Sequence, residues 1–408
     1  MKPELLFLAH RIPYPPNRGD KMRSWHLLRH LGRHATVHLG AFADDEEDAA
    51  HLGALRAAMG GSLGEAYIEP RHRSKLWPLR ALLMNQPAAL AAFHGGGMAD
   101  FAANMLARPQ ISGVFAFSIQ MAQFVPAAYP KPFVMDFVDF DSAKFADYAA
   151  SSGGLRKLAY LRETWRLRAY EKKVAERAAV SLFVSEAEAA LFRAVVQPKG
   201  ADVRAVGNGI DLAAYDPDAA FTPLADPPKA PLIVFTGQMD YRPNVEGVCA
   251  FAREVMPTIR QVYDARFAIV GRRPDATVRA LDGQDGVIVT GEVPDVRPWL
   301  AAASVVVAPL QIARGIQNKV LEAMAMGRPV VASSGAFEGI DAVPGRDLLV
   351  ADSTADQFDA VLTLWEEPER AGAMGTAARA RMVSHYSWDA QLAPLAAMMG
   401  LEACKAAA

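Results

Sequence analysis

The sequence predicts an α/β protein built of two doubly wound domains. Short apolar runs of strand length alternate with amphipathic stretches of helix length almost to the C-terminus, the pattern of parallel sheets covered on both faces by helices. The alternation breaks once, at "NGIDLAAYDPDAAFTPLADPPKAP", which is rich in Pro, Asp and Ala and lacks helical or strand periodicity for most of its length. At 408 residues the chain exceeds one ordinary core and suits two.

Taken in order, the opening "MKPELLFLAHRIPYPP" holds an apolar run of only about half a dozen residues, too short for a signal-peptide core or a membrane span, and reads as a first strand. A loop "RIPYPPNRGD" and a helix "KMRSWHLLRHLG" follow, then strands at "ATVHLGAF", "GVFAFS", "PFVMDFV" and "AVSLFVS". A second alternation runs through "PLIVFTGQM", "RFAIVG", "GVIVTGEV", "SVVVAPL", "RPVVASS" and "DLLVA". The expected domains are residues 1–207 and 231–385, joined by a linker over 208–230, with a helical segment 386–408 packing back on the first domain.

Composition narrows the function. With 51% hydrophobic and 22% charged residues the chain has the make-up of a packed enzyme or binding protein. A formal net charge of -2 leaves no global basic field for nucleic acid. Cys249 and Cys404 are the only cysteines, too few for a disulfide framework or a four-thiolate zinc site, and they suit a reducing cytoplasm. Neither first strand is followed by G-x-G-x-x-G, which disfavours a dinucleotide oxidoreductase.

Ligands of open α/β sheets bind beyond the carboxyl ends of the strands. There, after "SVVVAPLQIAR", lies "GIQNKVLEAMAMGRPVV", residues 315–331. Asn318, Lys319 and Glu322 fall in the first turn of its helix, and spacings of three and four bring them to one face. The free amides of a helix start, with Lys319, Arg314 and Gly315, suit a diphosphate, and Glu322 suits vicinal hydroxyls such as those of a ribose. The competing reading is a solvated Lys319–Glu322 surface pair.

The same stretch resembles the signature of the retaining glycosyltransferases of family four, which have the GT-B fold of two Rossmann-like domains facing across a cleft. A second mark is "VGNGIDLAAYDP", residues 206–217, whose Asn208-Gly209-Ile210-Asp211 resembles the family's N-G-[VI]-D. "HRIPYPPNRGDKMRSWHLLRHL", "DFVDFDSAKFADYA" and "FTGQMDYRPNVEGV" are similar to a subgroup of sugar transferases associated with exopolysaccharide loci. The resemblance implies a nucleotide-sugar donor and a glycan or polyprenyl-linked glycan acceptor. It implies a ribose role for Glu322 and donor contacts from Gln238, Arg242 and Asn244. Gly271, Arg272 and Val293 would flank the nucleobase; the alternative leaves Gly271 and Gly291 as turn glycines and Arg272 in solvent. The chain departs from the family where many members carry a glutamate eight residues before Glu322, for here that position is Arg314. Arg314 and Lys319 are therefore expected to supply the phosphate contacts that a typical member obtains near Gln238.

In the first domain, "HRIPYPPNRGDKMRS" places Gly19 before a helix start that can face an anion, with Asp20 as cap. The resemblance sets this loop against the donor phosphates. Asp139 and Asp141 form a D-x-D, which in other folds holds a divalent metal. In a GT-B protein helix dipoles and basic side chains do that work, so no metal or other cofactor is expected. Asp139 is then a catalytic candidate beside the sugar, and capping of the next helix by Asp141 or Ser142 is the alternative. Where many members have a histidine, "GVFAFSIQMAQF" offers Ser118 and Gln120; His10 is the one histidine well placed at a strand end, and no base is assigned. Retaining transfer needs none if the leaving diphosphate takes the acceptor's proton, with Arg314 and Lys319 stabilising the departing charge.

Two basic stretches, "EPRHRSKLWPLRALLMNQP" and "GLRKLAYLRETWRLRAYEKKVAER", suit the acidic inner face of a cytoplasmic membrane and predict weak, salt-sensitive peripheral association. In the second, Glu163, Glu171 and Glu176 break the basic face, and a solvated helix with internal ion pairs is the alternative. The chain reads as a metal-independent, retaining hexosyltransferase of the cytoplasm. An epimerase or hydrolase of the same fold and a non-catalytic nucleotide-sugar binding protein are the alternatives.

Overall fold

The computed structural model describes residues 2–71, 86–311 and 316–401. The chain divides into two units, the first comprising residues up to Asn208 together with those from Leu392, the second Gly209–Gln391. Each is built on one all-parallel sheet. In the first unit β1 (Glu4–Ala9), β2 (Thr36–Ala43), β3 (Leu63–Pro70), β4 (Ile111–Phe117), β5 (Phe133–Val138), β6 (Val180–Phe183) and β7 (Val203–Ala205) lie in the order β3-β2-β1-β4-β5-β6-β7. In the second, β8 (Leu232–Thr236), β9 (Arg266–Val270), β10 (Val287–Gly291), β11 (Val305–Ala308), β12 (Val330–Ala332) and β13 (Leu349–Val350) lie in the order β10-β9-β8-β11-β12-β13.

Both sheets are doubly wound. The strand order reverses between β1 and β4 in one and between β8 and β11 in the other, and at such a reversal the loops part to leave a crevice. The central strands are apolar throughout because both their faces are covered: Leu5 to Ala9 and Leu232 to Phe235 are all buried. Each leucine, isoleucine, valine or phenylalanine removed from water in this way contributes about 1.5–3 kcal/mol. Two strands were not expected. β3 is an edge strand, largely half-exposed, and β7 has only three residues, so neither carries an apolar run.

Residues 208–230 hold no helix or strand. From Gly209 on they belong to the second unit, with Leu212, Tyr215 and Phe221 against its core and Ile210 bridged to Ser387. The closing segment is two short helices, Trp388–Leu392 and Leu395–Met398, the latter against the helix Gly19–His34.

Three local expectations are corrected. Asp20 does not cap the helix Gly19–His34; Arg18 holds the cap position without a side-chain bond, and Asp20 pairs with Arg11 at 2.7 Å. Neither Asp141 nor Ser142 caps the helix Asp141–Ala150; Glu188 accepts from the Phe140 amide at 2.8 Å and Glu171 from the Ser142 amide at 3.1 Å. In the helix Gly154–Arg177, Glu163 and Glu171 do not interrupt an outward basic face, because both are buried.

Candidate functional site

The crevice at the β8/β11 reversal opens into a cavity of about 650 Å³ within the second unit. Its floor is made by the ends of β8 and β9, at Thr236, Gly237, Val270 and Gly271, and one wall by the start of the helix Asn318–Ala325. That helix exists because Val320, Leu321, Ala323, Met324 and Ala325 bury one side, leaving Lys319 and Glu322 to the cavity. Gly327, at a φ of 64° open to glycine, ends the run. Gln317 occupies the cap position without a side-chain cap bond, and the positive end of the helix faces the cavity.

Lys319 Nζ donates to Asn244 Oδ1 and sits 4.5 Å from the centroid of the Phe235 ring. Asn244 is fixed in turn by Nδ2 donating to the Gln238 carbonyl at 2.8 Å. Burial lowers the Lys319 ammonium to about 8, against the pull of Glu322 in the other direction. Burial likewise pushes Glu322 up to about 7, with the Tyr215 hydroxyl that donates to it and the charge of Lys319 drawing it back. The Tyr215 phenol is raised by its own burial and then by the Glu322 carboxylate. A cation and a carboxylate each held near its point of titration, beside an uncapped helix start, form a site for a ligand carrying both phosphate and hydroxyl groups.

The far wall is shaped by Gly271. A Cβ there would lie 1.6 Å from the Gly237 carbonyl oxygen, so only glycine lets the ends of β8 and β9 approach this closely. Arg272 lines the cavity and donates to Gln238 Oε1 at 3.1 Å, and Glu292 and Val293 complete the side beyond β10.

Residues 230–367 match the family model described as Glycosyl transferases group 1. That span contains every wall of the cavity except Tyr215. A GDP-mannose-dependent monoacylated alpha-(1-6)-phosphatidylinositol monomannoside mannosyltransferase of Corynebacterium glutamicum is 35% identical over 140 residues, 31% of this chain and 36% of that relative. A second curated relative is matched over 53% of its length, so the chain spans between about a third and a half of the curated relatives it matches. The fold is shared more widely. The sucrose-phosphate synthase of Thermosynechococcus elongatus superposes with a TM-score of 0.61 at 18% identity, covering 98% of each chain. Anabaena HepE, solved with UDP and glucose, superposes with a TM-score of 0.60 at 13% identity, covering 97% of this chain and 99% of that one. Two parallel sheets with helices on their faces are thus the GT-B architecture of glycosyltransferases.

Of the residues named from sequence, the glycosyltransferase-like span brings Gln238, Asn244, Gly271, Arg272, Val293, Asn318, Lys319 and Glu322 to one cavity. Arg242 is not among them: its side chain is 86% exposed and pairs with Glu246 at 2.7 Å, while its neighbour Tyr241 lines the wall. Arg314 and Gly315 lie outside the described residues. In the first unit Gly19 is the first residue of its helix, and an added Cβ would meet nothing within 4 Å. Asp139 is partly exposed beyond β5, where Lys144 donates to it at 2.6 Å and to Asp141 at 3.3 Å. His10 directly follows β1, stacked on Phe117 and 3.3 Å from Asp20; burial lowers its pKa and Asp20 opposes the shift.

Glu292, in the same strand-end loop as Val293, also lines the cavity, and Tyr215, Thr236 and Tyr241 line it and were missed. Thr236 precedes the "GQMDYRPN" run and Tyr241 lies inside it, so both lay within reach of the same strand-end rule. Tyr215 lies inside the "VGNGIDLAAYDP" mark, but the signal there is carried by Asn208–Asp211, and the stretch has no periodicity that would aim Tyr215 at a site.

Proposed function

We propose that the protein is a metal-independent, retaining glycosyltransferase that moves a sugar from a nucleotide-sugar donor to a glycan in exopolysaccharide synthesis, the acceptor carried on a polyprenyl lipid at the inner face of the cytoplasmic membrane. The observation that carries the reading is the pairing in one cavity of Lys319 beside an uncapped helix start with Glu322 one turn further on. The ammonium and the amides suit a diphosphate, and the carboxylate suits the paired hydroxyls of a ribose. A GDP-mannose-dependent enzyme among the relatives and a structural neighbour solved with UDP support a nucleoside-diphosphate sugar as donor.

In the transfer, the bond from the anomeric carbon to the diphosphate breaks, the acceptor oxygen bonds to that carbon on the same face, and the acceptor proton passes to the departing phosphate oxygen. Lys319 and the helix start stabilise the negative charge that grows on the leaving group. A metal at the Asp139–Asp141 pair has no part in this reading, because Lys144 already answers the charge of both carboxylates.

Thermal melts with UDP, GDP and ADP and their sugar derivatives test it. One nucleotide series should raise the melting temperature, since a ligand at 100 times its Kd adds about 2.7 kcal/mol to the native state. Turnover of that sugar nucleotide should then depend on an added glycan acceptor. Release of free sugar at the same rate without acceptor would make the protein a hydrolase, and no stabilisation by any of the series would remove the reading.

A further inference from the structure

The helix Gly154–Arg177 buries two acids beside Leu167, Val174 and Ala175 and leaves other large apolar side chains in solvent. Its interior side carries Glu163 and Glu171, 5% and 0% exposed, whereas Leu155, Leu158 and Trp165 stand 85%, 63% and 77% exposed to solvent. Burial of the acids has a cause. Glu163 accepts from the Ala88 and Ala89 amides at 2.8 and 3.0 Å, and Glu171 from the Ser142 amide at 3.1 Å, so each carboxylate serves the start of another helix. Two of the helix's three acids are thereby taken from the surface, while its eight Lys and Arg residues include Arg156, Lys157, Arg166 and Lys173, all exposed. Trp165, Arg168, Ala169 and Lys172 form a shallow hollow with Val196 of the adjoining helix Glu186–Val196, on which Leu191 and Val195 are also exposed.

No globular core needs leucine and tryptophan on the outside of a helix that hides its glutamates. A surface that is apolar and basic together has two demands, and a bilayer of acidic lipid meets both: the acyl region takes Leu155, Leu158 and Trp165, and the headgroups take the cations between them. We propose that this helix is the surface by which the protein docks on an acidic membrane, lying in the plane of the headgroups. The proposal deepens the transferase reading, and rests on it for its purpose, by naming where a lipid-carried acceptor is met. Among the described residues no helix is long and apolar enough to cross a membrane, so docking is peripheral.

The experiment is co-sedimentation of the whole protein with phosphatidylcholine vesicles and with vesicles containing about a third phosphatidylglycerol, at low and at high salt, beside sedimentation velocity without lipid. Wild type should bind the acidic vesicles at low salt, lose at least tenfold in partition at high salt, and leave the neutral vesicles unbound. The doubly substituted Leu158→Ser, Trp165→Ser chain, and separately Arg166→Glu with Lys173→Glu, should each bind at least tenfold more weakly. All four positions are outside the nucleotide cavity, so nucleotide stabilisation should persist in both variants and shows them folded. A blue shift of tryptophan emission on acidic vesicles should be lost in Trp165→Phe. Equal binding by wild type and both variants would overturn the proposal. So would a wild-type dimer in sedimentation velocity that the Leu158 and Trp165 changes dissolve, which would make the face a self-association surface. Absence of nucleotide binding with vesicle binding intact would instead count against the transferase reading alone.

Discussion

Lys319 and Asn244 meet through a hydrogen bond from the ammonium to the amide oxygen, although they lie on different helices 75 residues apart. Asn244 thereby holds the ammonium, one of the two cations that line the cavity among the described residues, beside the helix start that shares its task. Replacing Lys319 by Met removes the charge and keeps the stem over Phe235. A charge-assisted hydrogen bond contributes about 1.5–3 kcal/mol, so nucleoside diphosphate binding should weaken by roughly 10–100-fold in calorimetry. Asn244→Ala, which frees the ammonium without deleting it, should cost less. Equal affinity in wild type and Lys319→Met would assign Lys319 to packing alone.

Two titrations bracket the working pH. Glu322, pushed up to about 7, carries charge only above that value, and Lys319, lowered to about 8, keeps its proton only below that one. A ligand that needs both charges should bind best between about pH 7 and 8, with affinity falling on each side. Isothermal titrations from pH 5.5 to 9.5 should give this bell, and Glu322→Gln should lose the acid limb while Lys319→Met loses the alkaline one. A flat profile in the wild type would show that neither group answers to the ligand.

The same shifts govern stability. Glu322 is raised above its unfolded value, so its contribution is present at acid pH and lost as pH rises through about 7. Lys319 is depressed, so its contribution is present in strong alkali and lost as pH falls through about 8. Near neutrality the empty site therefore weakens the fold. Glu322→Gln should raise the melting temperature at pH 8, by about 2–4 °C for each kcal/mol recovered, while weakening the nucleotide. A lower melting temperature would mean that the carboxylate serves structure more than ligand.

The strands of both sheets were legible because strands covered on two faces must be apolar, and β1, β8 and β9 satisfy that without exception in their interior residues. β3 was not, because an edge strand with half-exposed Glu65 and Tyr67 carries no such run. Lys319, Asn318 and Glu322 were legible because one helix start sets all three. Tyr215 was not, since its bond to Glu322 joins positions that no periodicity connects. The acids of the helix Gly154–Arg177 misled for a related reason: sequence shows that a glutamate interrupts a basic run, and only the fold shows that the amide starts at Ala88 and Ser142 draw it inward.

Gly271 and Gly291 look alike in sequence, each closing a strand of the second sheet, yet they should respond differently to alanine. At Gly271 the new Cβ would fall 1.6 Å from the Gly237 carbonyl oxygen, so β8 or β9 must move and the cavity floor with it. At Gly291 nothing lies within 4 Å, and the φ of 68° leaves only the left-handed strain of about 1–2 kcal/mol. Gly271→Ala should therefore depress the melting temperature more than Gly291→Ala and abolish nucleotide binding, which Gly291→Ala should largely retain. Matching losses would show that the close approach at Gly237 relaxes easily.

Among the described residues Arg23 and Asp136 form the most deeply buried ion pair of the first unit, 1% and 0% exposed, with Nε donating to Oδ2 at 2.9 Å. Asp136 Oδ1 also accepts from the Val138 amide at 2.9 Å, and Arg23 Nη1 donates to Asn208 Oδ1 at 3.0 Å. The pair thus ties the helix Gly19–His34 to the end of β5 and holds the asparagine of the Asn208–Asp211 mark. A buried pair is only weak evidence of net stabilisation, but deleting one partner leaves the other charge dry and unanswered, at a cost of about 3–5 kcal/mol. Arg23→Met should lower the free energy of unfolding in urea by that much, and Arg23→Met with Asp136→Leu should recover most of the loss, because neither charge then remains in the interior. Urea unfolding followed by circular dichroism reads both. If the double variant is as unstable as the single one, the bonds to Asn208 and Val138, rather than the unpaired charge, account for the loss.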